Sequence, residues 1–148
     1  MIRLTNFDPA HIAEMKLREW DRIGMALAPD LAEYSAAYFQ KYGMGFTAFT
    51  DEGILGAAGV VRVLPGNWEV WCYTTELFPK YGYRVHRIAQ RYLAAFEKRK
   101  EWRRFQCVVD STHPLAVRWV KKLGFEREGI LRQYGPEGQD YYQYARVH

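Results

Sequence analysis

Two periods of apolar spacing alternate along this chain, one helical and one of two residues, and the changes between them mark its elements. Ile2-Arg3-Leu4 reads as an edge strand. Asp8-Pro9 pairs a helix cap with a proline at the first helical position, and the helix it predicts carries Ile12, Met15, Trp20 and Ile23 roughly along one side. Pro29-Asp30 restarts helical structure, with Leu31, Tyr34, Tyr38 and Tyr42 as an aromatic stripe read as packing, and Gly43 ends it. The period then falls to two. Gly45–Thr50, Ile54–Leu64 and Trp68–Thr75 read as three strands joined by Asp51-Glu52-Gly53 and Pro65-Gly66-Asn67 turns. In the last of these, Glu69, Trp71, Tyr73 and Thr75 share one face. Gly56 and Gly59 interrupt the middle strand and predict a bulge or a close backbone approach.

Pro79-Lys80-Tyr81-Gly82 reads as a loop. From there to Lys100 the spacing of Val85, Ile88, Ala89, Tyr92, Leu93 and Phe96 predicts the longest helix, with Lys98-Arg99-Lys100 in its last turn. Cys107-Val108-Val109 is a buried strand. Asp110-Ser111-Thr112-His113 offers capping side chains ahead of Pro114, and Leu115, Ala116, Trp119, Val120 and Leu123 follow at helical spacing to a C-cap at Gly124. Phe125 opens a strand, Gly135-Pro136-Glu137-Gly138 is a turn, and Asp140–Val147 is the closing strand. The whole is an α+β layout, ordered β-α-α-β-β-β-α-β-α-β-β.

Composition narrows the picture. A chain of 148 residues, 49% apolar and rich in tyrosine, is most simply one domain spanning 1–148 with a sizeable core. No apolar run is long enough to span a bilayer, and the N-terminus lacks the pattern of a secretion signal, so a cytoplasmic protein is expected. Cys72 and Cys107 are expected as reduced thiols in strands. Four scattered histidines and two distant cysteines show no metal-ligand spacing, so no metal is expected. The net charge of +4 fits an anionic ligand without requiring one. The densest basic run, Lys98–Arg104, is short, and a solvated helix end is preferred there to a nucleic-acid contact.

The order of elements, with Ala116, Gly124 and Phe125 on the penultimate helix and Gly138-Gln139-Asp140 at the hairpin corner, resembles the GNAT acyl-CoA N-acyltransferase superfamily. The stretch from Arg118 to Val147 also looks like GNAT-like proteins encoded by tailed bacteriophages, some of them counted among internal virion proteins. The resemblance implies a GNAT fold, acetyl-CoA as co-substrate and direct transfer of the acyl group to an amine. It implies a cleft where the fourth and fifth strands part, and a pyrophosphate resting on N–H groups at the start of the long helix. The family's phosphate motif falls best on Arg84-Val85-His86-Arg87-Ile88-Ala89. Arg84 and Ala89 match, whereas Arg87 stands where the family has its central glycine. Val120 occupies the place of a tyrosine acid, and His113 that of a CoA-contacting asparagine.

An amine nucleophile must lose a proton; some members of the resembled family place a base on the strand before the phosphate loop, which implies Glu69 as the first candidate, and Glu76, near that strand's exit, is the second. Each reads more readily as a solvated strand glutamate. The candidate cofactor-binding residues are Arg84, Arg87, Ala89 and His113. Partners implied are a CoA thioester and an amine acceptor, with a homodimer or virion proteins left open. The rival reading is a GNAT-shaped assembly component that no longer catalyses.

Overall fold

The computed structural model describes residues 1–19, 21–22, 29–99 and 102–147. Seven strands among them are β1 (Arg3–Asn6), β2 (Gly43–Thr50), β3 (Gly53–Leu64), β4 (Asn67–Thr74), β5 (Arg104–Asp110), β6 (Glu126–Leu131) and β7 (Tyr141–Val147). Helices with described bounds are α1 (Ala10–Ala13), α2 (Pro29–Tyr42), α3 (Phe78–Glu97) and α4 (Pro114–Lys122). The strands are hydrogen-bonded in the order β1-β2-β3-β4-β5-β7-β6, a mixed sheet in which β4 and β5 are parallel. The chain clusters into two compact units, residues 1–61 with 70–81 and residues 62–69 with 82–148.

In the first unit the core is Phe7, Met15, Ala36, Ile54, Ala57, Val61 and Trp71. Trp71 is its centre: Phe39 stacks on it at 4.7 Å, and Phe7 tilts against it at the same distance. Room for the indole comes from glycine. A Cβ on Gly45 would sit 2.6 Å from the Trp71 ring, and one on Gly59 2.2 Å from the Met44 carbonyl oxygen. Gly56 meets the Tyr73 carbonyl as closely, and the β2–β3 register slips beside it, where Ala48 faces Gly56 and Phe49 faces Ile54. Both features expected of the interrupted strand are therefore present.

One expectation fails in this unit and a second holds only in part, both for tertiary reasons. Asp8 does cap α1, its Oδ1 accepting from Ala10 N at 2.9 Å, but the helix ends at Ala13. Leu17 instead bridges Thr75, Arg18 N donates to Thr74 O, and Glu76 N donates to Lys16 O. Backbone pairing with the end of β4 outweighs the helical pattern; Trp20 and Ile23, which that pattern included, lie outside the described residues. Of the stripe on α2, Leu31, Tyr34 and Tyr42 are each more than half exposed, while Tyr38 packs against the core beside Ala36 and Phe39. Tyrosine hydroxyls make such a face compatible with solvent.

The second unit packs around Phe105 and Tyr144, both fully buried. Trp102 stacks on Phe105 at 4.6 Å, and Phe96 of α3 meets Phe105 and Trp68 edge-on at 5.4 and 4.9 Å. α4 starts and stops where local chemistry requires. His113 Nδ1 accepts from Ala116 N at 3.3 Å, Pro114 fills the first turn, and Gly124 takes φ +89°. Asp110 ties this turn to the hairpin: its Oδ1 accepts from Thr112 N and Oγ1, and its Oδ2 from Gln139 Nε2 at 3.0 Å. Gly138, at φ +82°, donates to Gly135 O and closes the predicted turn.

Candidate functional site

β4 and β5 run parallel through the register pairs Asn67↔Arg104, Trp68↔Phe105 and Glu69↔Gln106. Alternation puts Glu69, Gln106 and Arg104 on one face and the aromatic pair Trp68 and Phe105 on the other. On the polar face the three side chains form a chain of hydrogen bonds. Gln106 Nε2 donates to Glu69 Oε2 at 2.8 Å, and Arg104 Nε donates to Gln106 Oε1 at 2.8 Å. Both terminal nitrogens of Arg104 hold the Glu128 carboxylate, one of them at 3.0 Å. Glu128 reaches this position because β6 bulges there, with Arg127 opposite Tyr144 and Gly129 opposite Gln143.

This chain of contacts fixes both the orientation and the proton affinity of Glu69. Burial pushes its carboxyl above the ordinary glutamate value, and the Gln106 amide and Arg104 guanidinium partly offset the rise. A half-buried carboxylate with raised basicity and one oxygen already anchored has the character of a general base. Cys107, the next residue of β5, is held as a thiol, pushed up to about 12 by burial and then by the Glu69 charge. It is not a nucleophile at neutral pH.

The other candidates are placed differently. Glu76 is exposed just beyond β4, its backbone N–H given to Lys16. Arg84 and Arg87 are exposed and Ala89 is half-buried, and all three lie inside α3 rather than ahead of it. The helix begins at Phe78, so the expected Pro79–Gly82 loop is its first turn, where proline is well tolerated. Its earliest donors are engaged within the chain: Leu77 N by Thr75 Oγ1, Phe78 N by Thr75 O and Lys80 N by Leu77 O. Backbone N–H groups from Arg84 onward belong to the helical ladder, so a phosphate there would meet guanidinium side chains. His113 caps α4 through Nδ1, which leaves its proton on Nε2. Val120, in the place of the family's acid, is buried in the core.

Sequence reasoning missed three residues. Gln106 and Glu128 acquire their roles only through cross-strand pairing with partners 24 to 37 positions away. The third, Asp21, lies in the first unit, where its Oδ2 accepts from Thr74 N at 3.1 Å. Its carboxyl is raised to about 6, chiefly by burial, against the lowering effects of the Thr74 N–H and Arg18. Asp21 in turn helps burial hold the Tyr73 phenol at about 12. The one available signal was parity for Gln106: Arg104, Gln106 and Asp110 are the polar members of an alternating strand.

Among the described residues no cluster of three or more His, Cys, Asp or Glu could hold a metal, and no helix is long and apolar enough to cross a membrane. A half-open pocket of about 440 Å³ lies against β6 and β7, lined in part by Glu97, Glu126, Arg127, Glu128 and Arg146; Glu69 and Gln106 do not line it.

The sequence matches no protein-family model and no curated relative. Solved structures do match it over nearly its full length. A GNAT-family acetyltransferase of Streptococcus pneumoniae is 15% identical with TM-score 0.72, each chain covering 100% of the other. One of Bacillus anthracis is 17% identical with TM-score 0.71, over 99% of this chain and 94% of that one. RimL, the ribosomal L7/L12 alpha-N-protein acetyltransferase solved with coenzyme A, is 15% identical with TM-score 0.71, over 99% and 93%. The fold is therefore the α+β GNAT fold.

Proposed function

We propose that the protein is an N-acyltransferase that moves an acetyl group from acetyl-CoA to an amine, with Glu69 as the base. The observation that carries this reading is the Glu69 carboxyl itself, half-buried, raised in basicity and held by Gln106 at the last registered pair of β4 with β5. The fold supports it, since the solved structures of this shape named above are acetyltransferases, one with coenzyme A bound. Their single chains span nearly all of this one, which supports treating 1–148 as one functional domain.

In this reading Glu69 takes a proton from the ammonium, directly or through water. The freed amine attacks the thioester carbonyl, a C–N bond forms and the C–S bond breaks with the electron pair leaving on the CoA sulfur, and the second proton of the attacking nitrogen passes to water. Val120 has no proton to give, so the thiolate leaves as such, its basicity being low enough to allow this at neutral pH. Arg84 and Arg87, exposed one turn apart on α3, bind the CoA phosphates through their side chains. Ala89 and His113 line the same cofactor in the family pattern, and Glu76 is the reserve base.

The test is thiol release from acetyl-CoA in the presence of a panel of primary amines and polyamines. Glu69→Gln should lower kcat/KM by roughly 10²–10⁴-fold while leaving CoA affinity unchanged. Turnover that survives intact in this variant would transfer the role to Glu76 or abolish it.

A second reading, a GNAT-fold assembly component without catalysis, such as a virion protein, is favoured by the closed first turn of α3 and the burial of Val120. Copurification with virion parts and no thiol release with any amine would establish it.

A further inference from the structure

Charge is divided unequally between the two units. Residues 62–69 and 82–148 hold fifteen lysines and arginines against eight aspartates and glutamates, while residues 1–61 and 70–81 hold six against nine. The modest overall +4 thus combines +7 in one unit with −3 in the other.

Within the basic unit the excess is concentrated on two helices. Arg84, Arg87 and Arg91 follow at i, i+3 and i+7 on α3, on the side away from buried Leu93 and core-packed Phe96. Arg118, Lys121 and Lys122 are turned away from buried Val120 on α4. All six are exposed, and none forms an ion pair with a described residue. The helices are neighbours, since the Trp119 indole N–H donates to His86 Nδ1 at 3.1 Å. Arg87 and Arg118 are the chain neighbours of its two partners. No acidic residue lies on α4, and Glu97, at the end of α3, is engaged by Arg146.

We propose that the solvent face of α3 and α4 binds the phosphate backbone of a nucleic acid. Six unneutralised cations held close together repel one another, and a multivalent anion relieves that repulsion. Arg84 to Arg91 covers about 10 Å of helix, several phosphate spacings of a duplex, so the array fits a polymer better than a single anion. Tyr83, exposed by 75% one turn before Arg87, offers a ring on which a base can stack. The end of the basic run that is densest in the sequence, Trp102 to Arg104, plays no part. Trp102 is buried, Arg103 donates to Pro65 O at 2.7 Å, and Arg104 is held by Gln106 and Glu128. The binding face is assembled by the fold from two separate segments. This inference does not depend on acyl transfer, and because Arg84 and Arg87 are also assigned to the CoA phosphates, the two anions compete for them.

Fluorescence anisotropy with a labelled 25-base-pair duplex and the matching single strand, from 50 to 200 mM salt, tests it. Six contacts on duplex predict a log–log salt slope of about −5, a weakening of about 10³-fold across that range. The triple variant Arg91→Gln, Arg118→Gln, Lys122→Gln avoids Arg84 and Arg87 and should make the slope shallower by about 3. Lys41→Gln, exposed on the acidic unit, should change nothing. Preference for either form of the nucleic acid supports the proposal and identifies the form. No binding at 50 mM salt, a slope unaltered in the folded triple variant, or binding to phosphatidylserine vesicles but to neither oligonucleotide would overturn it.

Discussion

Replacing Asp21 by asparagine should stabilise the protein at neutral pH, and the gain should vanish on acidification. The folded state raises this carboxyl from 3.8 to about 6, chiefly by burial. Between those values the folded chain binds a proton that the unfolded chain has released, so stability falls as pH rises. The full gap corresponds to about 3 kcal/mol. Roughly 1.4 kcal/mol of it is lost between pH 5 and pH 7.5, where the folded-state carboxyl ionises. Asparagine has nearly the same shape, and its amide oxygen can accept the Thr74 N–H as the carboxylate does at 3.1 Å. Urea unfolding of both proteins at pH 5, 6 and 7.5 gives the comparison, and other titrating groups cancel in the difference. The variant should be more stable by up to about 3 kcal/mol at pH 7.5 and by roughly 1.4 kcal/mol less than that at pH 5. Parallel stability profiles would refute the assignment of a buried, proton-retaining carboxyl at this position.

Other expectations follow from named contacts. Gly59→Ala would set a Cβ 2.2 Å from the Met44 carbonyl oxygen, against backbone that cannot yield cheaply, and should destabilise by about 1–3 kcal/mol in thermal unfolding. Gln106→Leu removes the donor that lowers the Glu69 carboxyl, so its titration, followed by carbon-13 NMR of the side chain, should move further up, and the acidic limb of any turnover profile with it. Native protein at pH 8 should present Cys72 alone to a thiol reagent, because Cys107 is buried with its thiol at about 12; both should react in denaturant.

What was legible in the sequence depended on how local its cause is. The stretch from β5 to β7 reads correctly because its determinants lie within a few residues of what they control: His113 caps α4, Gly124 takes the positive φ that ends it, and Gly138 closes the hairpin. The N-terminal helix reads too long because pairing of Lys16–Arg18 with the distant end of β4 opposes a reasonable helical pattern. The start of α3 was misplaced by a proline with two meanings, since Pro79 can break a loop or occupy a first turn. That displacement matters at the candidate site, because it moves Arg84 and Arg87 from the helix entrance to its interior. Glu69 was reached through resemblance to a family, some members of which place a base on the strand before the phosphate loop. Its supports were not, because Gln106 meets it only once β4 and β5 pair, and Glu128 only once β6 bulges.

The central claim is that a chain with this fold and these departures uses a CoA thioester, and calorimetric titration with acetyl-CoA, and separately with CoA, tests it most directly. The account predicts binding in the micromolar range that is weakened by about a hundredfold or more when Arg84 and Arg87 are both replaced by alanine, each lost charge-assisted phosphate contact costing about 1.5–3 kcal/mol. Absence of heat at millimolar ligand, with the protein folded, would contradict it and leave the GNAT fold here as a scaffold without its co-substrate.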